Sequence, residues 1–213
     1  FVNNDDGWST VDAIRGAGAE VAVVVDPRGK PAKGDYSGIR VIQGVISDVG
    51  GSVDGVNSVT VSGAGGTQKI EADCLAMSGG WNPNLALSCF HRGKPEWRED
   101  IAAFVPANAP SGITMAGAAN GDLSLGACLR TGHAAGAMAA AEAGAKGKSG
   151  NAAKASDEAF AIKPLWHVQV KGKAFVDFQH DVTASDVKLA QREGFESVEH
   201  LKRYTTLGMA TDQ

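Results

Sequence analysis

The sequence predicts an α/β fold: a nucleotide-binding-type region with a β-meander, followed by a small helical domain. Three observations carry this reading. A continuous apolar run, Val21-Ala22-Val23-Val24-Val25, follows an amphipathic stretch over residues 7–17, as in a βαβ half-unit of the dinucleotide-binding type. Short β-type segments separated by Gly, Ser and Asp come next. The chain also carries 28 glycines and is rich in alanine, which suits tight turns and close helix packing.

Phe1-Val2 reads as a strand end. Asn3-Asn4-Asp5-Asp6 is a turn cluster able to cap the helix that runs from Gly7 to Ala17, with Trp8, Val11 and Ile14 on its apolar face and Gly18 ending it. Glu20 to Val25 is expected as a strand buried on both faces, closed by Asp26 and Pro27. Gly38 to Ile42, Val45 to Val49, Val56 to Val61 and Lys69-Ile70 predict a strand followed by a meander. Asp73 to Met77 predicts another buried strand, ending at the turn Ser78-Gly79-Gly80-Trp81-Asn82-Pro83, and Ile113 to Gly117 a last short one. After the small-residue loop Ala118-Ala119-Asn120-Gly121-Asp122, a long Ala-rich helix runs from Leu123 to about Ala143. Gly144 to Asn151 reads as a flexible linker and marks a domain boundary. Thr183 and Asp186 fit a capping box before a helix to Glu193, which Gly194 ends; Ser197 caps a last helix to about Thr206. The expected divisions are 1–76, 77–150 and 151–213.

The 213 residues allow one large domain, or one domain and a small appendage. With 43% hydrophobic and 21% charged residues, the chain is not disordered in type. A net charge of -4 argues against a nucleic-acid partner, and no run approaches the ~18 apolar residues of a membrane helix. Cys74, Cys89 and Cys128 fit no metal or redox spacing and suit a reduced, cytoplasmic protein. The N-terminus has no signal-peptide pattern. It also lacks an initiator Met, so a piece of something longer is expected.

Asn3-Asn4-Asp5-Asp6-Gly7 stands where a dinucleotide-binding unit would carry its glycine fingerprint, and two carboxylates there repel a pyrophosphate. Asp26 stands where a ribose-binding acid would; without the glycines, a structural Asp is preferred. The turn Ser78-Gly79-Gly80 and the loop Ala118-Ala119-Asn120-Gly121-Asp122, with Leu123 opening a helix, have two open readings. One is packing alone. The other is a pair of strand-end loops receiving an anionic ligand at a helix N-terminus. His91, His133, His167, His180 and His200 are scattered and read as hydrogen-bonded core or surface histidines. No nucleophile elbow, P-loop or carboxylate pair stands out, so no residue is assigned a catalytic role.

The stretches Phe175 to Thr183, Arg192 to Phe195 and Ser197 to Gln213 carry a resemblance, as does Asp73-Cys-Leu-Ala-Met-Ser-Gly-Gly-Trp-Asn-Pro83. So do the region from Gly117 to Gly136, the opening Asn-Asn-Asp turn and the Val-Val-Val-Asp strand. Together they resemble an interior segment of the α subunits of heterotetrameric sarcosine oxidase. The resemblance implies a part of a complex that oxidises sarcosine to glycine with hydrogen peroxide, passing the one-carbon unit to tetrahydrofolate as 5,10-methylenetetrahydrofolate. It implies FAD in the β subunit, FMN at the α/β contact and NAD in α. The partners implied are the rest of α, the β, γ and δ subunits, and the two substrates. NAD is then expected at Ser78–Gly80 and at Ala118–Leu123, not at the Asn3–Gly7 turn.

The C-terminal unit further resembles small ferredoxin-like [2Fe-2S] domains. Asp177, Gln179, Leu207 and Asp212 stand where those carry thiolates, so no cluster is expected. Two other readings stand beside this one: a non-catalytic structural or interaction module, and a subunit of a related amine or opine dehydrogenase. The missing thiolates argue against the dehydrogenase.

Overall fold

In the computed structural model, residues 1–28, 36–147 and 149–211 are described. The chain is mixed α/β and divides into two compact units, Phe1–Trp166 and His167–Gln213.

The first unit opens with Val2 between two neighbours. Val2 pairs parallel with Ser78 on one side, and on the other its N–H donates to Val25 O at 2.9 Å. Strand β1 (Val24–Val25) pairs in parallel with β2 (Val41–Ile42). Helix α1 (Asp6–Gly16) lies against this short array. Trp8, Val11 and half-buried Ile14 form its inner face, as their spacing predicts. Trp8 is 1% exposed, packs with Val2, Val11 and Val24, and meets the Tyr36 ring at a tilt of 46° with centroids 4.3 Å apart.

The meander forms as expected: β3 (Gly44–Ser52), β4 (Gly55–Gly63) and β5 (Gly66–Glu71) are antiparallel neighbours. Val61 and Ile70 project from it onto Val25, with Phe1, Val23, Ile42 and Ile46 closing that core.

Three expected strands differ. Within the run from Glu20 to Val25, only Val24 and Val25 join a ladder, because Val2 and β2 flank that end alone. The segment from Asp73 to Met77 is extended but largely exposed, not buried. Phe1 lines one edge of it, through Ala76 O and Ser78 N, and no described residue pairs with the other edge. Ile113 to Gly117 forms no strand; a turn at Gly112 leads through irregular chain into a single 3-10 turn, Gly117–Asn120.

Helix α2 (Ala86–Cys89) precedes a hairpin that the sequence did not announce, β6 (Pro95–Arg98) with β7 (Ala103–Pro106). Its first strand supplies no inward apolar residue in Glu96-Trp97-Arg98, and its second is apolar throughout in sequence. Ala103 and Val105, with Ile101, build a third core under half-buried Leu123 and Phe160. Helix α3 (Leu125–Glu142) begins two residues later than predicted because Ser124 caps it. Residues 152–166 then return over this same unit, so the units divide at Trp166, beyond the Gly144–Asn151 stretch where the break was expected. The return is anchored by backbone bonds: Asp5 N to Ala161 O (3.1 Å) and Lys163 N to Asn3 O (2.9 Å).

In the second unit, β8 (Phe175–Asp177) pairs with β9 (Val182–Thr183), followed by α4 (Ala184–Arg192) and α5 (Val198–Thr205). The predicted capping box is present: Asp186 N–H donates to Thr183 Oγ1, and Thr183 N–H donates to Asp186 Oδ2 at 2.8 Å. Ser197 holds the cap position of α5 without a side-chain bond to the helix. The ring of Phe195 stacks on Tyr204 at 4.4 Å, fastening α5 to the end of α4. Asp212 lies outside the described residues.

Candidate functional site

The turn at Ser78 is positioned by a buried amide. Asn4 is 0% exposed, and its Nδ2 donates to Ser78 O (3.1 Å), Ser78 Oγ (2.9 Å) and Asn3 Oδ1 (3.0 Å). Its Oδ1 accepts the N–H of Gly7 at 3.2 Å, so Asn4 also caps α1. Of the four-residue cluster, this one side chain does the capping and holds the first candidate loop.

Asp5 is spent elsewhere. It accepts from Ala161 N (2.8 Å) and from Arg28 Nη1 (2.6 Å). Arg28 was not singled out in the sequence, yet it also grips Asp26. Both oxygens of Asp26 are used: Oδ1 accepts from Arg28 N and Nε, Oδ2 from Arg28 Nη2 and Trp8 Nε1. Burial works against its ionisation, but the bonds from Arg28 and Trp8 and the nearby positive charge outweigh it and hold the carboxyl below its ordinary range. Burial likewise opposes the charge on Arg28, and its bonds to Asp26 and Asp5 more than offset that, raising its pKa. Both Asp26 oxygens are thus engaged by groups of the chain itself.

Gly79 is open, with nothing within 4 Å of where a Cβ would lie. Gly80 is not: its φ is +105°, and a Cβ there would sit 2.5 Å from Ile162 Cδ1. Trp81 follows, 61% exposed, with its indole N–H donating to Asp6 Oδ2 at 2.7 Å.

In the second loop, Gly121 N–H donates to Ala118 O and Asp122 N–H to Gly117 O, closing the turn. Gly121 has φ +80°, and a Cβ would meet Val105 Cγ1 at 2.6 Å and Ile101 Cδ1 at 3.1 Å. The chain's own core therefore requires a glycine here, whatever ligand approaches. Asp122 Oδ2 is buried with no partner, and Cys128 Sγ donates to Asp122 O at 2.9 Å.

The amides opening α3 were expected to face an anion. Instead Leu125 N–H donates to Glu158 Oε2 (3.1 Å), Gly126 N–H to Ser156 O (3.2 Å) and Ala127 N–H to Ser124 Oγ (3.2 Å). Asp157 accepts from Ser124 Oγ and pairs with Arg130 at 2.8 Å. The hydrogen bond from Ser124, then Arg130, holds Asp157 below the usual carboxylate range; backbone N–H groups of Glu158 itself and of Leu125 do the same for Glu158. The acidic stretch Ser156-Asp157-Glu158 thus occupies the place at this helix end that an anion would take.

Two cavities relate the predicted site residues. Ser78, Gly79 and Gly80 line a groove of about 1570 Å³ that runs along α1 and the extended segment before them. Ala118 and Leu123 line a pocket of about 340 Å³ with Asp6, Trp81, Asn82 and Pro83. Trp81 belongs to both, so the two loops meet at this residue. Ala119, Asn120, Gly121 and Asp122 form the turn between Ala118 and Leu123 without lining the pocket. The Asn3–Gly7 turn is not remote from it, because Asp6 reaches its wall. The pocket, at about 340 Å³, lies at the lower end of the ~300–1,000 Å³ range of small-molecule sites. Its lining carries a carboxylate and no cation.

Among the described residues, no three His, Cys, Asp or Glu side chains gather as metal ligands. His133 bonds Ser149 Oγ, His167 bonds Gln169 Nε2, and His180 bonds Thr206 O. All three cysteines are free thiols, and no described helix is long and apolar enough to cross a membrane.

Known proteins match this chain along its length. The sarcosine oxidase A3 domain family matches residues 171–213. Sarcosine oxidase subunit alpha of Rhizobium meliloti (strain 1021) is 39% identical over 220 aligned positions, which take in 100% of this chain and 22% of that protein. The subunit alpha proteins of Corynebacterium sp. strains P-1 and U-96 are 36% and 35% identical over 99% of the chain, in each case 24% of the relative. The chain thus spans about a quarter of the length of the curated relatives it matches.

Proposed function

We propose that the chain, which matches sarcosine oxidase subunit alpha proteins along its whole length, serves as a cofactor-contacting segment of such a subunit. The work of the complex would be oxidative demethylation of sarcosine to glycine, with hydrogen peroxide and 5,10-methylenetetrahydrofolate as the other products. The observation that carries this reading is the end-to-end match at 39% identity to a protein of that name.

The chain supplies no catalytic residue in this reading. FAD and FMN belong to the parent complex, and the β, γ and δ subunits and the rest of α are its partners. Residues Ser78–Gly80 and Ala118–Leu123 contact NAD. Their convergence at Trp81 supports that assignment. NAD supplies a redox-capable nicotinamide where it is bound. The chain's residues contribute position: Asn4 fixes the Ser78 turn, the Gly121 turn sets Ala118 against Leu123, and open Gly79 admits close backbone approach.

The test uses the full-length subunit in its complex. After denaturation, released nucleotide is separated by chromatography, and NAD at about one per α subunit is expected. Oxygen consumption with sarcosine is expected from the complex and not from the 213-residue chain by itself. Peroxide formation from sarcosine by the chain alone, or a complex free of NAD, contradicts the reading.

A further inference from the structure

We infer that the pocket between Trp81 and Leu123 is a nucleoside seat: it takes a planar, uncharged ring with its sugar, and it excludes phosphate. This rests on the reading above, since NAD is the dinucleotide in question, but it names which part of it the pocket accepts.

Four observations carry it. Trp81 is a large aromatic residue left 61% exposed at the pocket, and a base-sized ring stacks on such a face. Its indole N–H is held by Asp6 at 2.7 Å, which fixes the ring. Only Asp6 Oδ2 is used in that bond, so the carboxylate of this lining residue keeps Oδ1 as an acceptor for a sugar hydroxyl or a ring amine. Leu123, Ala118 and Pro83 supply the apolar remainder. The volume, about 340 Å³, lies at the small end of the range of small-molecule sites.

The exclusion of phosphate has an independent basis. The amides that open α3, two residues beyond Leu123, are bonded to Glu158, Ser156 and Ser124. Asp157 and Glu158 add negative charge at that end. Arg28 is bound to Asp5 and Asp26, and Arg130 to Asp157. A phosphate entering here meets the Asp6 carboxylate and no cationic side chain among the lining residues.

Adenosine and nicotinamide riboside are the probes, since either end of NAD presents this chemistry. Each is titrated against the 213-residue chain with tryptophan fluorescence as readout, in parallel with inorganic pyrophosphate. The expected result is saturable quenching by at least one nucleoside, absent in Trp81→Leu and weakened about tenfold in Asp6→Asn, with no competition from millimolar pyrophosphate. Thermal melts accompany both variants. Asp6→Asn keeps a polar side chain on the first turn of α1, so it reads the site even where Trp81→Leu unfolds. Neither nucleoside binding, binding unchanged in Asp6→Asn, or displacement by pyrophosphate overturns the proposal. NAD content of the full-length subunit is read separately. NAD retained in full by Asp6→Asn and Trp81→Leu subunits overturns the pocket and leaves the NAD reading intact. A wild-type subunit lacking NAD removes that reading, while the nucleoside titration still decides the pocket.

Discussion

Glu158 Oε2 accepts the backbone N–H of Leu125 at 3.1 Å, so a carboxylate from 33 positions later in the chain caps the start of α3. Beside it, Ser124 and Asp157 bond each other at 2.8 Å. These contacts fasten the returning segment to the helix that the second candidate loop leads into.

Ser124→Ala removes the cap on Ala127 N–H and the hydroxyl that Asp157 accepts from. A loss of about 1 kcal/mol is expected, in the usual range for an N-cap Ser, measured as a lower urea midpoint with unchanged slope. Acidification acts on the same joint. Asp157 and Glu158 have folded pKa values below their unfolded ones, so their stabilisation is full above the unfolded carboxylate pKa and fades as pH falls through the folded values. Urea midpoints that do not drop on acidification from neutral pH would contradict this account.

The two glycines of the candidate loops separate packing from binding. Gly121→Ala places a Cβ 2.6 Å from Val105 Cγ1 at φ +80° and should cost about 2 kcal/mol through strain and overpacking. Gly79→Ala meets nothing within 4 Å and should leave the melting temperature within about 2 °C. Thermal denaturation of both variants checks the pair. Only the Gly79 variant is then a clean probe of nucleotide retention, since Gly121 changes disturb the hairpin core first.

Arg28→Met leaves Asp26 buried, at 2% exposure, with Trp8 Nε1 as its remaining side-chain donor. Breaking a buried pair from one side costs about 3–5 kcal/mol. Asp26 also has its pKa lowered in the fold, so the wild type should lose this contribution as pH falls through the folded value, and the variant should show less of that acid dependence. Denaturant midpoints of both proteins across the acid range decide it. A variant as stable as the wild type at neutral pH would remove Arg28 from the list of structural residues.

Local signals were the legible part of the sequence. Trp8, Val11 and Ile14 at helical spacing, the Gly-bounded meander and the Thr183–Asp186 pair each encode their element within a few residues, and each is found. What the sequence hid depends on contacts far along the chain. Val21 to Val23 look like a core strand, yet the ladder stops at Val24 because its neighbours, Val2 and Val41, come from elsewhere. Gly121 suggested ligand approach, and the molecule adds a packing reason for it, Val105, on a hairpin whose strands gave no periodic signal in the sequence. The α3 amides were counted as free because nothing local shows that Glu158 returns to them. A Trp next to a glycine turn and an Asp in a cap cluster were both visible. Their meeting, Trp81 Nε1 with Asp6, spans 75 positions and was not.

Asp177 gives the last prediction. Its carboxylate is buried and ties two loops together. Oδ1 accepts the N–H groups of Gln179 (2.9 Å) and His180 (3.2 Å), while Oδ2 accepts that of Gly208 (2.9 Å). His180 Nδ1 adds a bond to Thr206 O, so the hairpin turn and the end of α5 are joined at two points. An anion facing three amide donors does locally what a bound anionic group would do between the same loops. The bond from Gly208, helped by those from His180 and Gln179, holds the Asp177 carboxyl below its ordinary pKa. Its stabilisation is therefore full above the unfolded value and is lost as pH falls through the folded one. Asp177→Asn keeps shape and one acceptor but puts an NH2 against an amide donor, so the loop after α5 should loosen. Hydrogen exchange at Gly208 N–H reads this directly: faster exchange is expected in Asp177→Asn at neutral pH, and in the wild type on acidification after correction for the intrinsic rate. Unchanged protection of Gly208 in the variant would mean that other contacts, such as His180 with Thr206, hold the loop, and that the carboxylate at this position is incidental.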